Sequence, residues 1–363
     1  MIPSRTDELL TAAAWPEAEE AIAALDRNDV LITCAGFEDR ALEFLRRCAA
    51  AGAKGFQLVG IKYLPEVAEN RLPLLKQLSD ASDAILSLRT YNRQEPEKFD
   101  ELLIHSEGAE RFWVDVSGMS RLLIVQLIAN AVRRGLADRM RIIYTEAELY
   151  PPTREEFEKR LAENPDYLGI LNFISSGVFG VTVVPELSSV AMQGQPTRLV
   201  TFPSFNPTQF AAVTAEIQAS GISIINGTPP RAENQWRKDA IRQLNGIDSL
   251  GEKEEFDSST FDYRETLKLL LDLYGRYGAT QKIVVSPTGS KMQSVAVGLA
   301  CGFLRDLQVV YPTPQSFPTP SNYTTGVRNV YQLSLAAFAA VPTTVGAYDV
   351  GSAEGLEQSD AAG

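Results

Sequence analysis

The chain has 363 residues, 45% of them hydrophobic, with 46 acidic against 34 basic side chains and a formal net charge of −12. That length and apolar fraction can bury a large core and fill two domains of ordinary size. The negative balance excludes a long nucleic acid or an anionic membrane surface as partner, because each demands a basic face, and leaves open a small anionic ligand held by a local cluster.

In chain order, residues 1–27 read as an acidic helical arm, a helix pair with Leu9, Leu10, Ala14, Ala18, Ile22 and Leu25 at its apolar positions. Val30–Ala35 reads as a strand, followed by a turn at Gly36-Phe37-Glu38-Asp39-Arg40 and a helix over 41–50. Then come strand 57–62, helix 66–80, strand 84–90, helix 96–106, strand 111–116, helix 121–134 and strand 140–144, and the half closes on Gly177–Val184. Strands and helices alternating at these lengths predict α/β architecture with doubly wound, mostly parallel sheets.

The second half repeats the first in the same order. Arg198–Pro207 parallels Val30–Asp39, with Thr201 and Phe205 in the places of Thr33 and Phe37. Ile283–Lys291 parallels Trp113–Arg121, and Leu307–Tyr311 parallels Met140–Tyr144. Each of the latter precedes a Pro/Thr-rich stretch, Tyr150–Thr153 or Phe317–Pro320. Ser175-Ser176-Gly177-Val178 likewise parallels Thr324-Thr325-Gly326-Val327. The expectation is two tandem Rossmann-like domains, 28–186 and 187–340, related by pseudo-two-fold symmetry and joined at a linker near 186–197. Within the second copy, 227–262 is the least regular part, and its charged run Glu252-Lys253-Glu254-Glu255 reads as a solvated helix end or loop. The stretch 341–363, small, acidic and rich in Gly and Ala, reads as a disordered tail.

In doubly wound sheets ligands bind beyond the carboxyl ends of the strands, where the strand order reverses. The candidate lining is therefore Gly36, Phe37, Glu38 and Arg40 with Ser117, Gly118, Met119, Ser120 and Arg121 from the first copy. The second copy adds Ser204, Phe205 and Asn206 with Thr288, Gly289, Ser290 and Lys291. Glycine admits close backbone approach, hydroxyls donate, Arg121 and Lys291 neutralise phosphate, and Phe37 and Phe205 either stack on a base or plug the core. Either Gly turn alone could be a helix N-cap, Glu38 and Arg40 could pair with neighbouring charges, and Asp115 is a general base or a partner of a helix N-terminus.

No G-x-x-x-x-G-K-[ST] loop and no G-x-G-x-x-G fingerprint follows a strand, so an ATPase or a nicotinamide-dependent dehydrogenase is not expected. Cys34, Cys48 and Cys301 read as buried free thiols. One histidine, His105, read as a surface helix residue, gives no basis for zinc or Ser-His-Asp chemistry. No metal, cofactor or catalytic residue is assigned. Without a long apolar run or a signal-peptide pattern, a cytoplasmic location is expected.

At its two Gly turns the sequence resembles the CARF family, the Rossmann-fold sensors of CRISPR-associated systems, and the SAVED domains, in which two CARF-like units are fused. Ser117-Gly118-Met119-Ser120-Arg121 fits the Thr-Gly-Gly-Thr-Lys-like loop of that family with conservative changes, and Thr288-Gly289-Ser290-Lys291 fits it with one glycine missing. The resemblance implies a cyclic oligonucleotide held between the units, a role in prokaryotic antiviral signalling, and an effector on a separate chain. Two other readings stay open: a metal-independent phosphodiesterase that degrades the messenger, and a structural subunit of a defence complex.

Overall fold

The computed structural model describes residues 3–18, 25–66, 70–95, 103, 108–164, 171, 173–316 and 323–341, and it is an α/β protein built on two mostly parallel sheets. The chain opens with helix α1 (Pro3–Ala12) and a short strand β1 (Glu17–Ala18). The first sheet then takes β2 (Asp29–Cys34), β3 (Gln57–Leu64), β4 (Ile85–Asn92), β5 (Arg111–Asp115) and β6 (Met140–Thr145), parallel in the spatial order β4-β3-β2-β5-β6. Helices α2 (Glu43–Ala50), α3 (Leu72–Ala81) and α4 (Arg121–Arg133) fall between these strands. After α5 (Arg154–Glu163) and β7 (Ser176–Val183), the second sheet takes β8 (Thr197–Thr201), β9 (Gly221–Thr228), β10 (Glu254–Ser259), β11 (Lys282–Ser286) and β12 (Gln308–Ser316). These too are parallel, in the order β10-β9-β8-β11-β12, with α6 (Pro207–Ile217), α7 (Trp236–Leu244), α8 (Tyr263–Tyr277) and α9 (Lys291–Phe303) between them. Each sheet thus runs third-second-first-fourth-fifth, and the order reverses beside its first strand, which opens a crevice at the carboxyl ends.

The central strands are Rossmann-like for a plain reason. In β2 every residue is buried, and its Val30-Leu31-Ile32 run suits a parallel strand covered on both faces. Helices α4 and α9 are apolar nearly all round, the mark of a helix buried on every side, and they pack on each other between the sheets. A Cβ on Gly298 would stand 2.8 Å from the Ile128 Cβ, and one on Gly302 would stand 2.6 Å from the Val132 Cβ. These two glycines let the helices come together, and one hydrophobic core runs through both units.

The sixth strand of each sheet corrects the expected domain boundaries. β7, read as the close of the first half, pairs antiparallel with β12 in the second sheet. β13 (Val330–Ser334), from the end of the second half, pairs antiparallel with β6 in the first, and β1 lies outside it. The repeat itself is real, but a strand pairs with whatever edge its connection reaches, and the 146–175 segment is long enough to cross. The chain therefore crosses from the first sheet to the second between Leu149, still bridged to Thr325 beside β13, and Ser176, and 186–197 joins two strands of one sheet instead of two domains.

Three smaller expectations also change. The second arm helix is replaced, where described, by the β1 pairing, while α1 packs on α8 of the other unit and Tyr263 donates to the Ala14 carbonyl. The 227–262 region holds α7 and β10. Glu254 and Glu255 of the charged run open β10, an edge strand where exposed charge blocks further pairing. His105, most of the expected 96–106 helix, Phe317–Pro320 and the 342–363 tail lie outside the described residues.

Candidate functional site

Four strand-to-helix or strand-to-loop turns, two from each sheet, meet around one cavity of about 350 Å³. Gly36 follows β2, Gly118 follows β5, Ser204 follows β8 and Gly289 follows β11, and all four line it. The geometry of the turns explains their glycines. A Cβ on Gly118 would lie 2.9 Å from the Cys34 carbonyl oxygen, and one on Gly289 would lie 3.1 Å from the Phe202 Cβ. Both turns are N-caps as well as cavity walls. Ser120 accepts from the Leu123 N–H at 3.3 Å, and Ser290 and Gln293 form a reciprocal capping box.

The two turns do more than share a cavity, since each is tied to the other by a cation. Lys291 Nζ donates to the Met119 carbonyl at 2.6 Å, and Arg121 Nε donates to the Gly289 carbonyl. These cations occupy the first helical position of α9 and α4, at the positive ends of two neighbouring helix dipoles. Neither makes an ion pair among the described residues. Burial pushes the Lys291 ammonium down to about 8, with Glu38 opposing that fall and the charges of Arg40 and Arg121 adding to it.

Of the expected site residues, Gly36, Phe37, Glu38, Arg40, Gly118, Met119, Ser120, Arg121, Ser204, Phe205, Gly289, Ser290 and Lys291 line the cavity. Ser117, Asn206 and Thr288 do not, because their side chains fasten the turns. Ser117 Oγ accepts from the Thr145 N–H at 2.8 Å, Thr288 donates to the Phe202 carbonyl at 2.6 Å, and Asn206 caps α6. Phe205 borders the cavity but is chiefly a core residue, packed with Phe157, Phe173 and Trp236. Phe37 meets the Tyr323 ring edge-on at 4.3 Å.

Glu38 and Arg40 pair with each other at 2.8 Å instead of with surface charges. Burial works to raise the Glu38 carboxyl, but Arg40 and Lys291 outweigh it and hold it below the ordinary range. Arg40 also donates to the Thr145 carbonyl at 3.1 Å and lies over the rings of Tyr144 and Tyr150. Asp115 sits behind the first turn, where Oδ1 accepts from the Ser117 N–H and Oδ2 has no hydrogen-bond partner among the described residues. Burial lifts its carboxyl to about 7, against the pull of the Ser117 hydrogen bonds and the Lys291 and Arg40 charges. It does not line the cavity, so it serves the turn rather than a ligand.

Sequence reasoning missed the side walls. Tyr63, Tyr144, Tyr150, Glu146, Arg231 and Arg237 all line the cavity. Tyr63 accepts from the Ser120 N–H at 2.6 Å, and Arg231 pairs across the units with Glu146 at 2.5 Å. A signal existed for Tyr144, because Tyr144 and Tyr311 hold matched positions of the repeat and both reach the cavity. None existed for Arg231 and Arg237, which lie in the segment without an evident counterpart.

In chemical terms the lining holds Arg40, Arg93, Arg121, Arg231, Arg237 and Lys291 against Glu38 and Glu146, an excess of positive charge on a chain whose net charge is −12. The aromatic rings supply flat apolar faces, and the turns supply amides and hydroxyls. Such a cavity can hold a flat, anionic small molecule. No group of three or more metal-ligating side chains occurs among the described residues, and no helix there is long and apolar enough to cross a membrane.

No protein-family model matches the chain, and no curated protein does. Among solved structures, a putative universal stress protein from Pseudomonas aeruginosa UCBPP-PA14 aligns at 9% identity and TM-score 0.23, covering 79% of this chain and 93% of that one. A universal stress protein from Archaeoglobus fulgidus DSM 4304 aligns at 11% identity and TM-score 0.22, covering 79% and 97%. The cytoplasmic domain of a prokaryotic cation chloride cotransporter aligns at 11% identity and TM-score 0.23, covering 78% and 94%. The Rossmann-like assignment rests on the strand order of the two sheets.

Proposed function

We propose that this protein is a CARF- and SAVED-like sensor that binds a cyclic oligonucleotide messenger in the cavity between its two units and signals to a separate effector. The observation that carries the reading is the convergence of the α4 and α9 N-termini, each headed by a cation, on one cavity. Two like charges added to two positive dipole ends in a partly desolvated space cost the empty protein free energy. An anion between them recovers it. Phosphodiester groups supply such an anion, and the tyrosines and Phe37 suit bases. The cavity falls within the size range of small-molecule sites and is open rather than filled by side chains, which speaks against a decayed pocket.

Because Lys291 and Arg121 each grip a carbonyl of the opposite unit, a phosphate that recruits them changes the contact between units. That is how occupancy would reach a partner. The rival enzyme reading draws on the same residues: Lys291, titrating near 8, could assist a ribose 2′-hydroxyl attacking an adjacent phosphodiester. Denaturing extraction of purified protein followed by nucleotide mass spectrometry tests the proposal, with a co-purifying cyclic oligonucleotide as the expected result. Incubation with cyclic oligonucleotides in EDTA then separates the readings. Intact rings support a sensor, and linear products with a 2′,3′-cyclic phosphate support the phosphodiesterase.

A further inference from the structure

The cations of the cavity are not equivalent. Arg40 is matched by Glu38 and Arg231 by Glu146, each in a close ion pair. Arg237, at the start of α7, makes no ion pair among the described residues. Its guanidinium lies over the Phe205 ring at 4.5 Å, and Nη1 donates to the Tyr150 and Pro152 carbonyls at 2.8 Å each. Nη2 donates to the Pro151 carbonyl at 3.0 Å. These bonds come from the segment that crosses from the first sheet to the second, so the guanidinium is fixed in orientation by a backbone it does not belong to. Three of its five N–H groups are thereby used, and Nε–H and one Nη2–H remain without an acceptor among the described residues.

We propose that Arg237 is a second anion subsite of the cavity, taking one phosphodiester of the ligand while Lys291 and Arg121 take another. This rests on the sensor reading above and specifies the ligand further: it must carry at least two separate phosphodiester groups with a base able to lie against the wall of the cavity between them. The carbonyl ligands orient the guanidinium without neutralising it. Burial pulls its pKa down to about 10, with the Tyr150 phenol opposing, so the surroundings disfavour the charge that the carbonyls hold in place. A planar fork that is already fixed loses little conformational entropy on binding a phosphate.

The test is calorimetric titration of the full chain with cyclic di-AMP and cyclic tri-AMP, at low and high salt, for wild type and Arg237→Gln. The glutamine keeps a donor for the crossing segment and removes the charge. The subsite predicts a loss of about tenfold or more in affinity and a shallower salt dependence. Arg237→Lys is expected to keep the salt dependence while losing part of the affinity, because it retains the charge without the fork. Unchanged affinity in Arg237→Gln overturns the subsite, and so does a loss with the wild-type salt dependence, which marks a purely structural anchor. If neither probe binds wild type, while extraction also yields no cyclic nucleotide, the sensor reading falls and takes the subsite with it.

Discussion

Lys291 is the residue on which the electrostatics of the cavity turn. Its folded pKa of about 8 lies below the ordinary lysine value of 10.5 because burial disfavours the ammonium. The unfolded chain therefore binds more protons between those values, so this group adds stability as pH rises from about 8 to about 10.5 and withdraws it as pH falls back. Lys291→Met should flatten that segment of the stability curve in urea titrations at stepped pH. The sign for a bound phosphate is the opposite, since it favours the ammonium. Affinity should be level below neutrality and decline above about pH 8, with proton uptake on binding visible as buffer-dependent heat. Asp115 predicts a second pH effect. Its carboxyl, raised by burial to about 7 from 3.8, costs stability as pH climbs through that window, and Asp115→Asn should remove the slope there.

Among the elements, α4 and α9 carry the join between units, and the prediction at this scale concerns their glycines. Gly298→Ala places a methyl 2.8 Å from Ile128 and should cost about 1–3 kcal/mol in thermal or urea unfolding, as overpacking in a closed interface does. How well each element could be read from sequence follows from where its determinants lie. The turns at Ser117–Arg121 and Thr288–Lys291 were legible because an N-cap hydroxyl, a glycine and an apolar helix are local signals. The apolar girdle of Leu122–Val132 was legible as a helix, but its burial on all sides announces an interface only once the partner helix is known. β10 was missed because Glu254, Glu255 and Asp257 obscure a strand that sits at a sheet edge, where charge is tolerated. The exchange of β7 and β13 could not be read at all: the repeat identifies the strands as equivalent, and pairing depends on which edge lies open in space. Arg237 stayed hidden for a related reason, since its meaning comes from three carbonyls contributed by residues 150–152.

For the molecule as a whole, the reciprocal strands and the shared core make two repeats into one cooperative body. A fragment ending at residue 175 lacks both β13, which covers β6, and α9, against which α4 packs. It should be unfolded or aggregated by circular dichroism and size exclusion, whereas two autonomous tandem domains would leave it folded. On the proposed sensor reading, the same architecture joins ligand occupancy to the relation between units, because Lys291 and Arg121 bridge them beside the cavity. The most direct test is titration calorimetry of cyclic di-AMP and cyclic tri-AMP into wild type and into an Arg121→Ala/Lys291→Met double variant of matched thermal stability. Binding by wild type with a loss of about a hundredfold in the double variant is the predicted result, the scale of two charge-assisted contacts. Equal affinity for both proteins would contradict it, by showing that the paired cations at the meeting point of the two units do not hold the ligand.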